Sequence, residues 1–336
     1  MKNEVCKHAL LALITLSLLE ALLTIGLAEA QENQEKPIIV CTTNVLGSIV
    51  REFMGDNVTI TVLVNPSLCP ADYDVKPGDI YALSKAKILF YHDIPGEKPW
   101  LGNLIEAAGN NELRQIKVPG TYNTPEGAKN CIKIVGGNLS QVFPAMGLDY
   151  KMSEVLNEID TVANEIRSKA QSWGISDFNV ICMKWQKTFV EWVGFKVAAV
   201  YDPPEQLSAS DIANLVNVAR EKNVTLVIDN LQISTEFGAS IASEVGAVHV
   251  VLTNFPGAIP ETENLAKMFR YNAERLFDGL NRWKLIKETE AELKTLIAEN
   301  ESLKNQVSTY QVIAIVMIVV IAVESIVLII RGKRRE

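Results

Sequence analysis

The stretch Pro66-Ser67-Leu68-Cys69-Pro70-Ala71-Asp72-Tyr73-Asp74-Val75-Lys76-Pro77-Gly78-Asp79-Ile80 decides how this chain is read. A β-like run, Val58 to Val64, feeds it, and its prolines mark a turn. Gly78-Asp79-Ile80 then opens an amphipathic helix with Asp79 near its N-terminus. A strand, a loop at its carboxyl end and a helix make the unit of an open α/β sheet. Ligands are held at such carboxyl-end loops, so the stretch is the first candidate for function.

The same alternation extends in both directions. Before the stretch come a strand, Pro37 to Thr42, and a helix through Val50 and Phe53 that ends at Gly55. After it come a short helix through Ala82 and Leu83, strand Lys87 to Tyr91, helix Leu101 to Ala108 and strand Gln115 to Val118. Residues 119–147 carry Gly, Pro and Asn with little periodicity and read as a long loop of functional interest. Leu148 to Trp173 is a long helix, with Val155, Ile159, Val162 and Ile166 at helical spacing and Gly174 as its stop. The βα pattern then restarts, with strands Asn179 to Met183, Lys196 to Val200, Thr225 to Asp229 and Ala247 to Leu252. Helices separate them, and a last helix covers Glu263 to Leu280. The expected fold is α/β: two βα-repeat lobes, residues 36–147 and 174–282, joined by one backbone helix, 148–173. A cleft lies between the lobes, and a lone connecting helix limits its opening.

Both ends of the chain point to a membrane. Lys2 and Lys7 precede the apolar run Ala9 to Leu27, and Ala28-Glu29-Ala30 fits signal peptidase, so residues 1–30 read as a signal peptide. Val312 to Ile330 is apolar apart from Glu324 and Ser325 and is followed by Arg331, Lys333, Arg334 and Arg335. Residues 311–331 therefore read as a transmembrane helix with 332–336 as a cytoplasmic tail. Glu324 costs on the order of 3 kcal/mol at a helix centre, which many Ile, Leu and Val at about 0.3 to 0.6 kcal/mol each outweigh. It is either an uncharged or wetted carboxyl, or a contact with a partner helix. The domain itself faces outward.

Residues 283–310 form a helical stalk in this reading. Ile286, Leu293, Asn300 and Val307 share one seven-residue register, and Thr289, Leu296, Leu303 and Tyr310 share another. These are a and d positions, and a lone Asn at a is a device for fixing a paired register. A parallel homodimeric coiled coil and a single solvated spacer both fit. Asn300 also opens a glycosylation sequon, as do Asn57, Asn138 and Asn223. A sugar on Asn300 would block pairing.

The chain has 336 residues, 48% of them hydrophobic, and a formal charge of -8. An acidic balance argues against nucleic acid. No Ser, His and Asp set, Gly-rich phosphate loop or zinc-ribbon Cys spacing is present, so no enzyme is expected. Asp72, Glu191 and Asp229 read as solvated or capping carboxylates near the cleft.

Several stretches in order resemble the zinc- and manganese-binding receptors of ABC importers, the cluster A-I solute-binding proteins. They are Ile39 to Thr43, Ala71 to Ile80, Ile88 to Tyr91, the backbone helix, Phe189 to Phe195, Ser208 to Ile212, and the closing helix with Tyr271-Asn272. Ala71-Asp72-Tyr73-Asp74-Val75-Lys76-Pro77-Gly78-Asp79-Ile80 is similar to the family's His-x-Tyr-Glu-Pro-x-Pro-x-Asp-Ile. The resemblance implies the two-lobed fold, an importer permease as partner, and a metal ion held by four cleft loops, mostly through His.

The implied ligands are largely replaced. The first His position carries Ala71, with Cys69 nearby; the second, near Ala145 to Asp149, offers only Met146. The third carries Met183 beside Cys182, and the fourth carries Asn254. His8 falls in the signal peptide, His92 follows a strand and reads as a rim residue, and His249 reads as core. No standard His-based site results. Cys69, Met146, Cys182 and Met183 are soft donors of the kind that select Cu(I), or they fill apolar gaps. The cleft candidates are Cys69, Asp72, Met183, Asp229 and Asn254.

Without Cys6, four cysteines allow three pairings. Cys41 lies inside a strand; Cys69 and Cys131, both read in first-lobe loops, are the candidate disulfide, which would withdraw Cys69 from any metal. A membrane-anchored receptor for an importer is the leading reading. A surface protein that kept the fold and binds a protein partner is the alternative.

Overall fold

The computed structural model describes Thr15, Ser17 and residues 36–333, and two four-stranded parallel sheets organise it. In the first, β1 (Ile38–Cys41), β2 (Thr59–Val62), β3 (Ala86–Tyr91) and β4 (Arg114–Lys117) lie in the order β2-β1-β3-β4. In the second, β5 (Asn179–Met183), β6 (Lys196–Tyr201), β7 (Leu226–Asn230) and β8 (Val248–Leu252) repeat that order as β6-β5-β7-β8. Parallel strands need crossover helices on both faces, so their residues are apolar without alternation. Ile39, Val40 and Cys41 obey this and are fully buried. Val40 joins a cluster with Leu83 and Leu104, whereas Ile39 and Cys41 join the opposite one with Val45 and Phe53.

The helices are α1 (Asn44–Met54), α2 (Pro77–Lys85), α3 (Leu101–Ala108), α4 (Pro125–Val142) and α5 (Asp149–Ser172) in the first half. In the second half they are α6 (Lys187–Val193), α7 (Ala209–Glu221), α8 (Glu236–Val245) and α9 (Leu265–Lys333). The expected backbone helix is α5, which buries Val155, Ile159, Val162 and Ile166 on one face and stops where Gly174 turns left-handed at φ 62°. A single apolar core runs through both lobes, taking in Phe53 of α1, Ile159 of α5, Leu252 of β8 and Phe277 of α9. The lobes are two ends of one core, which ties them more firmly than a hinge would.

One expectation needs correction, and another gains continuity. Residues 119–147 are mostly helix α4. Thr124 caps it by accepting from the Gly127 N–H at 3.2 Å, Pro125 takes the first turn, and Ala128, Cys131, Ile132, Val135 and Leu139 are buried. Gly127 and Gly136 both obscure its periodicity and allow its packing, since a Cβ would lie 1.6 Å from the Thr121 carbonyl oxygen in the first case and 2.6 Å from the Phe53 ring in the second. Closing helix, stalk and apolar segment, read as separate, are one helix of 69 residues, about 100 Å long at 1.5 Å per residue. Leu276 and Leu280 are fully buried, whereas Leu293 and Leu303 are 56% and 60% exposed. The apolar end has a mean hydropathy of 3.2 over 18 residues and, by length and composition, is apolar enough to cross a membrane. The expected signal peptide, Thr15 and Ser17 aside, and residues 334–336 lie outside the described residues.

Candidate functional site

Loops that follow β1, β2 and β4 meet loops that follow β5, β7 and β8 along one polar seam. In the first lobe the opening stretch is held by its framework residues. Tyr73 donates its hydroxyl to the Asp79 carboxylate, which also accepts from the Lys76 N–H at 2.7 Å. Trp100 Nε1 donates to the Pro70 carbonyl at 2.9 Å, and the Tyr73 and Trp100 ring centroids are 4.6 Å apart. The loop tip, Ala71 and Asp72, is exposed, and Cys69 is half-buried. Burial pushes the Cys69 thiol up, with the Asp72 and Glu205 carboxylates adding to the shift against a backbone hydrogen bond.

Deeper in the seam, Glu97 is fully buried. Its carboxylate accepts from the Thr42 hydroxyl and from the N–H groups of His92 and Asp93, the latter two at 3.0 and 2.6 Å. Burial still leaves Glu97 raised above the usual carboxylate range. His92, expected at the rim, is 2% exposed. Its Nδ1 lies 3.1 Å from the Val118 carbonyl and its Nε2 lies 3.0 Å from Thr43 Oγ1. A carbonyl only accepts, so Nδ1 carries the proton and Nε2 accepts from Thr43. Burial lowers His92 to about 4, so the ring is neutral at pH 7. With both nitrogens engaged it is a brace for the β3 and β4 loops, and Tyr122 packs against it at 5.1 Å between centroids.

The two lobes are bonded directly to each other. Asn44 Nδ2 donates to the Pro256 carbonyl at 2.6 Å, and Gln232 Nε2 donates to the Pro66 carbonyl at 2.9 Å. Asn123 Nδ2 donates to the Trp185 carbonyl at 3.0 Å and lies 3.4 Å from Asn254 Oδ1. Tyr122 and Phe255 pack across the seam at 6.3 Å. Asn254, the cleft candidate of the last loop, is therefore at the seam, its N–H donating to Gln232 Oε1 at 3.1 Å. Two buried polar atoms here have no partner among the described residues, Asn123 Oδ1 and Gln186 Nε2.

The soft donors are not brought together. Cys182 and Met183 are neighbours in β5 and point to opposite faces of the sheet. Cys182 belongs to the shared core, where burial pushes its thiol up to about 12, and Met183 belongs to the cluster with Tyr201 and Leu215. The Met183 sulfur is already an acceptor for the Trp185 N–H at 3.4 Å. Met146 lies beyond the end of α4, which runs back from the seam, so it sits at the amino ends of the strands. Lys87 at the start of β3, 5.0 Å above the Phe143 ring, marks that end. The loop that does follow β4 and reach the seam is Val118 to Thr124, and Met146 is not part of it.

Asp229 is also moved out of the cleft. It is fully buried beneath α8, where it accepts from the Tyr201 hydroxyl and lies 2.8 Å from His249 Nε2. A Cβ on Gly238 would fall 2.1 Å from its Oδ2, so α8 can approach only because residue 238 is glycine. His249, expected in the core, is half-buried on edge strand β8 and serves this cluster. The candidate disulfide is absent: Cys41, Cys69, Cys131 and Cys182 are free thiols. Cys131 sits in α4 and donates to the Pro119 carbonyl at 3.3 Å, its thiol pushed up to about 11 by burial. Among the described residues, no three of His, Cys, Asp and Glu converge as a metal site.

The family described as ZnuA, zinc-uptake complex component A, periplasmic, matches residues 39–279, and the chain belongs to that family. Solved structures share the fold. A zinc-bound ZnuA deletion mutant is 21% identical with a TM-score of 0.61, covering 72% of this chain and 98% of its own. The periplasmic zinc-binding protein TroA from Treponema pallidum is 16% identical with a TM-score of 0.64, covering 73% and 99%. A manganese-bound periplasmic metal-binding protein from candidatus Liberibacter asiaticus is 16% identical with a TM-score of 0.63, covering 73% and 100%.

Proposed function

We propose that this chain is a membrane-anchored, extracytoplasmic solute-binding protein of an ABC importer whose metal site is degenerate. Family membership supports the importer, and the apolar end of α9 supports the anchor. The fold family implies a metal ion as cargo, and the residues present do not fit one. Ala71 offers no ligand, Met183 spends its sulfur on the backbone, and Asn254 is a neutral amide whose Oδ1 accepts from Asn123 while its backbone N–H donates to Gln232. Zinc takes imidazole, carboxylate or thiolate, manganese imidazole or carboxylate, and none of these three positions supplies any of them. The observation that carries the reading is that the seam keeps the two-lobed frame while its polar groups are bonded across the lobes.

The stalk is part of the reading. Its exposed Leu293, Leu296, Leu303 and Val307 favour a parallel pair with a second copy, with Asn300 free of sugar. A second reading, a surface protein that binds a protein partner, is favoured by the same cross-lobe bonds, which leave little room for cargo. Cross-linking the full-length chain in its own membranes, followed by mass spectrometry, separates the two. Recovery of an ABC permease attached to lobe lysines is the expected result. Attachment to other surface proteins alone, or to nothing, contradicts the importer reading.

A further inference from the structure

The one acidic residue of the apolar segment falls on the stalk's own pairing face. From Asn281 to Ile330 helix α9 contains neither glycine nor proline, so nothing in it resets the helical register. Val307 is followed at seven-residue steps by Ala314, Ile321 and Leu328, and Tyr310 by Met317 and Glu324. Glu324 is thus at a d position of the register that holds Leu296 and Leu303. Its neighbour Ser325 satisfies itself by donating to the Ile321 carbonyl at 2.7 Å within the same helix. The Glu324 carboxyl has no such partner among the described residues. In hydrocarbon an unpaired polar group is costly, so intramembrane carboxyls face a partner or a water-filled cavity.

The geometry points to a continuous parallel pairing of α9 with a second copy, from the stalk into the membrane, in which the two Glu324 carboxyl groups hydrogen-bond across the pair. The inference rests on the paired-stalk reading and extends it into the bilayer. The occupant is a second copy, because an identical helix carries a polar group at the same depth and the same heptad pattern in the stalk. Both copies enter the membrane from one side and end in Arg331 and Lys333, so the pair is parallel. Parallel pairing also sets Glu299, at g, beside Lys304 of the partner subunit, at e, which is charge-complementary. Asn300 meets its counterpart at an a position above. The stalk and the carboxyl pair then hold the two-lobed domains side by side at a fixed height.

The test is cysteine cross-linking of the full-length chain in its membranes, on a Cys69→Ala background. Leu296→Cys and Leu303→Cys should form dimers several-fold more readily than Ala298→Cys and Asn305→Cys on the outer face. Within the span, Met317→Cys should likewise exceed Val319→Cys. Glu324→Leu should weaken dimerisation in detergent by about threefold to thirtyfold, the range of one interhelical hydrogen bond, while Glu324→Gln, which can still pair, should retain it. If the stalk positions cross-link but Met317→Cys and Val319→Cys behave alike and Glu324→Leu dimerises normally, the carboxyl pair is wrong and the paired stalk stands. If no stalk position cross-links above its outer-face control, both are wrong.

Discussion

The interlobe seam and the exposed part of α9 treat unpaired chemistry in opposite ways. In the seam, polar side chains find partners on the chain: His92 on Thr43 and Val118, Gln232 on Pro66, Asn44 on Pro256. Beyond Trp283, apolar side chains are left exposed, with Leu296, Leu303 and Ile318 at 60%, 60% and 66%. A site recruits ligands with the groups its fold leaves unsatisfied. By that measure the seam keeps little capacity beyond Asn123 Oδ1 and Gln186 Nε2, and the demand for partners has moved to the helix.

The largest effect that would break this contrast lies in the helix. Truncation after Tyr310 removes the apolar end, each Ile, Leu or Val of which contributes about 0.3 to 0.6 kcal/mol to insertion. Fractionation should then find the protein released; retention in the membrane pellet would mean that α9 is not the anchor. In the seam, His92→Ala leaves a cavity and two buried groups unpaired, and should cost about 3 kcal/mol in urea unfolding at pH 7. A loss under 1 kcal/mol would show that the brace is not needed.

A smaller effect separates two pH dependences. Burial is the main cause that raises Glu52 to about 7 from the ordinary 4.5, its carboxyl accepting from Asn264 at 2.8 Å across the lobes. The folded state holds a proton that the unfolded chain releases, so this contribution is full below pH 4.5 and is lost as pH rises through 7. His92 works the other way: its contribution is full above pH 6.5 and is lost as pH falls towards 4. Glu52→Gln should therefore gain on the natural chain by roughly 2 kcal/mol, after allowance for partial exposure, between pH 5 and pH 8. A constant difference across that range would rule out the titration. Smallest of all, Cys69→Ala should shift stability by about 0.5 kcal/mol or less. In thiol labelling of the folded lobes Cys69 should react alone; a protected Cys69 released only by reductant would restore the disulfide.

Much of the fold is legible in the sequence because parallel strands are short apolar runs and α5 carries an unbroken helical stripe. Helix α4 is harder to read, because Gly127, Gly136 and Gly137 interrupt its apolar spacing, although Thr124-Pro125-Glu126 is a start signal. That omission misplaced the second loop of the seam and, with it, Cys131. The framework of the opening stretch, Tyr73, Pro77 and Asp79, is legible for the same reason its chemistry is not. It specifies the loop's shape through contacts with Trp100, whereas Ala71 at its tip specifies nothing. The cross-lobe amides Asn44, Asn123 and Gln232 leave no periodic signal, since only the meeting of distant loops gives them a role.

On the proposed reading, the seam does not hold a divalent ion as zinc- and manganese-bound relatives do. Metal analysis and thermal unfolding of the purified full-length chain, with zinc, manganese, nickel and copper(I) added in turn, test it most directly. No bound zinc or manganese is expected after dialysis, and no shift in unfolding with either. One-to-one binding with a rise near 2.7 kcal/mol at a hundredfold excess over the dissociation constant, reversed by chelator, would contradict it.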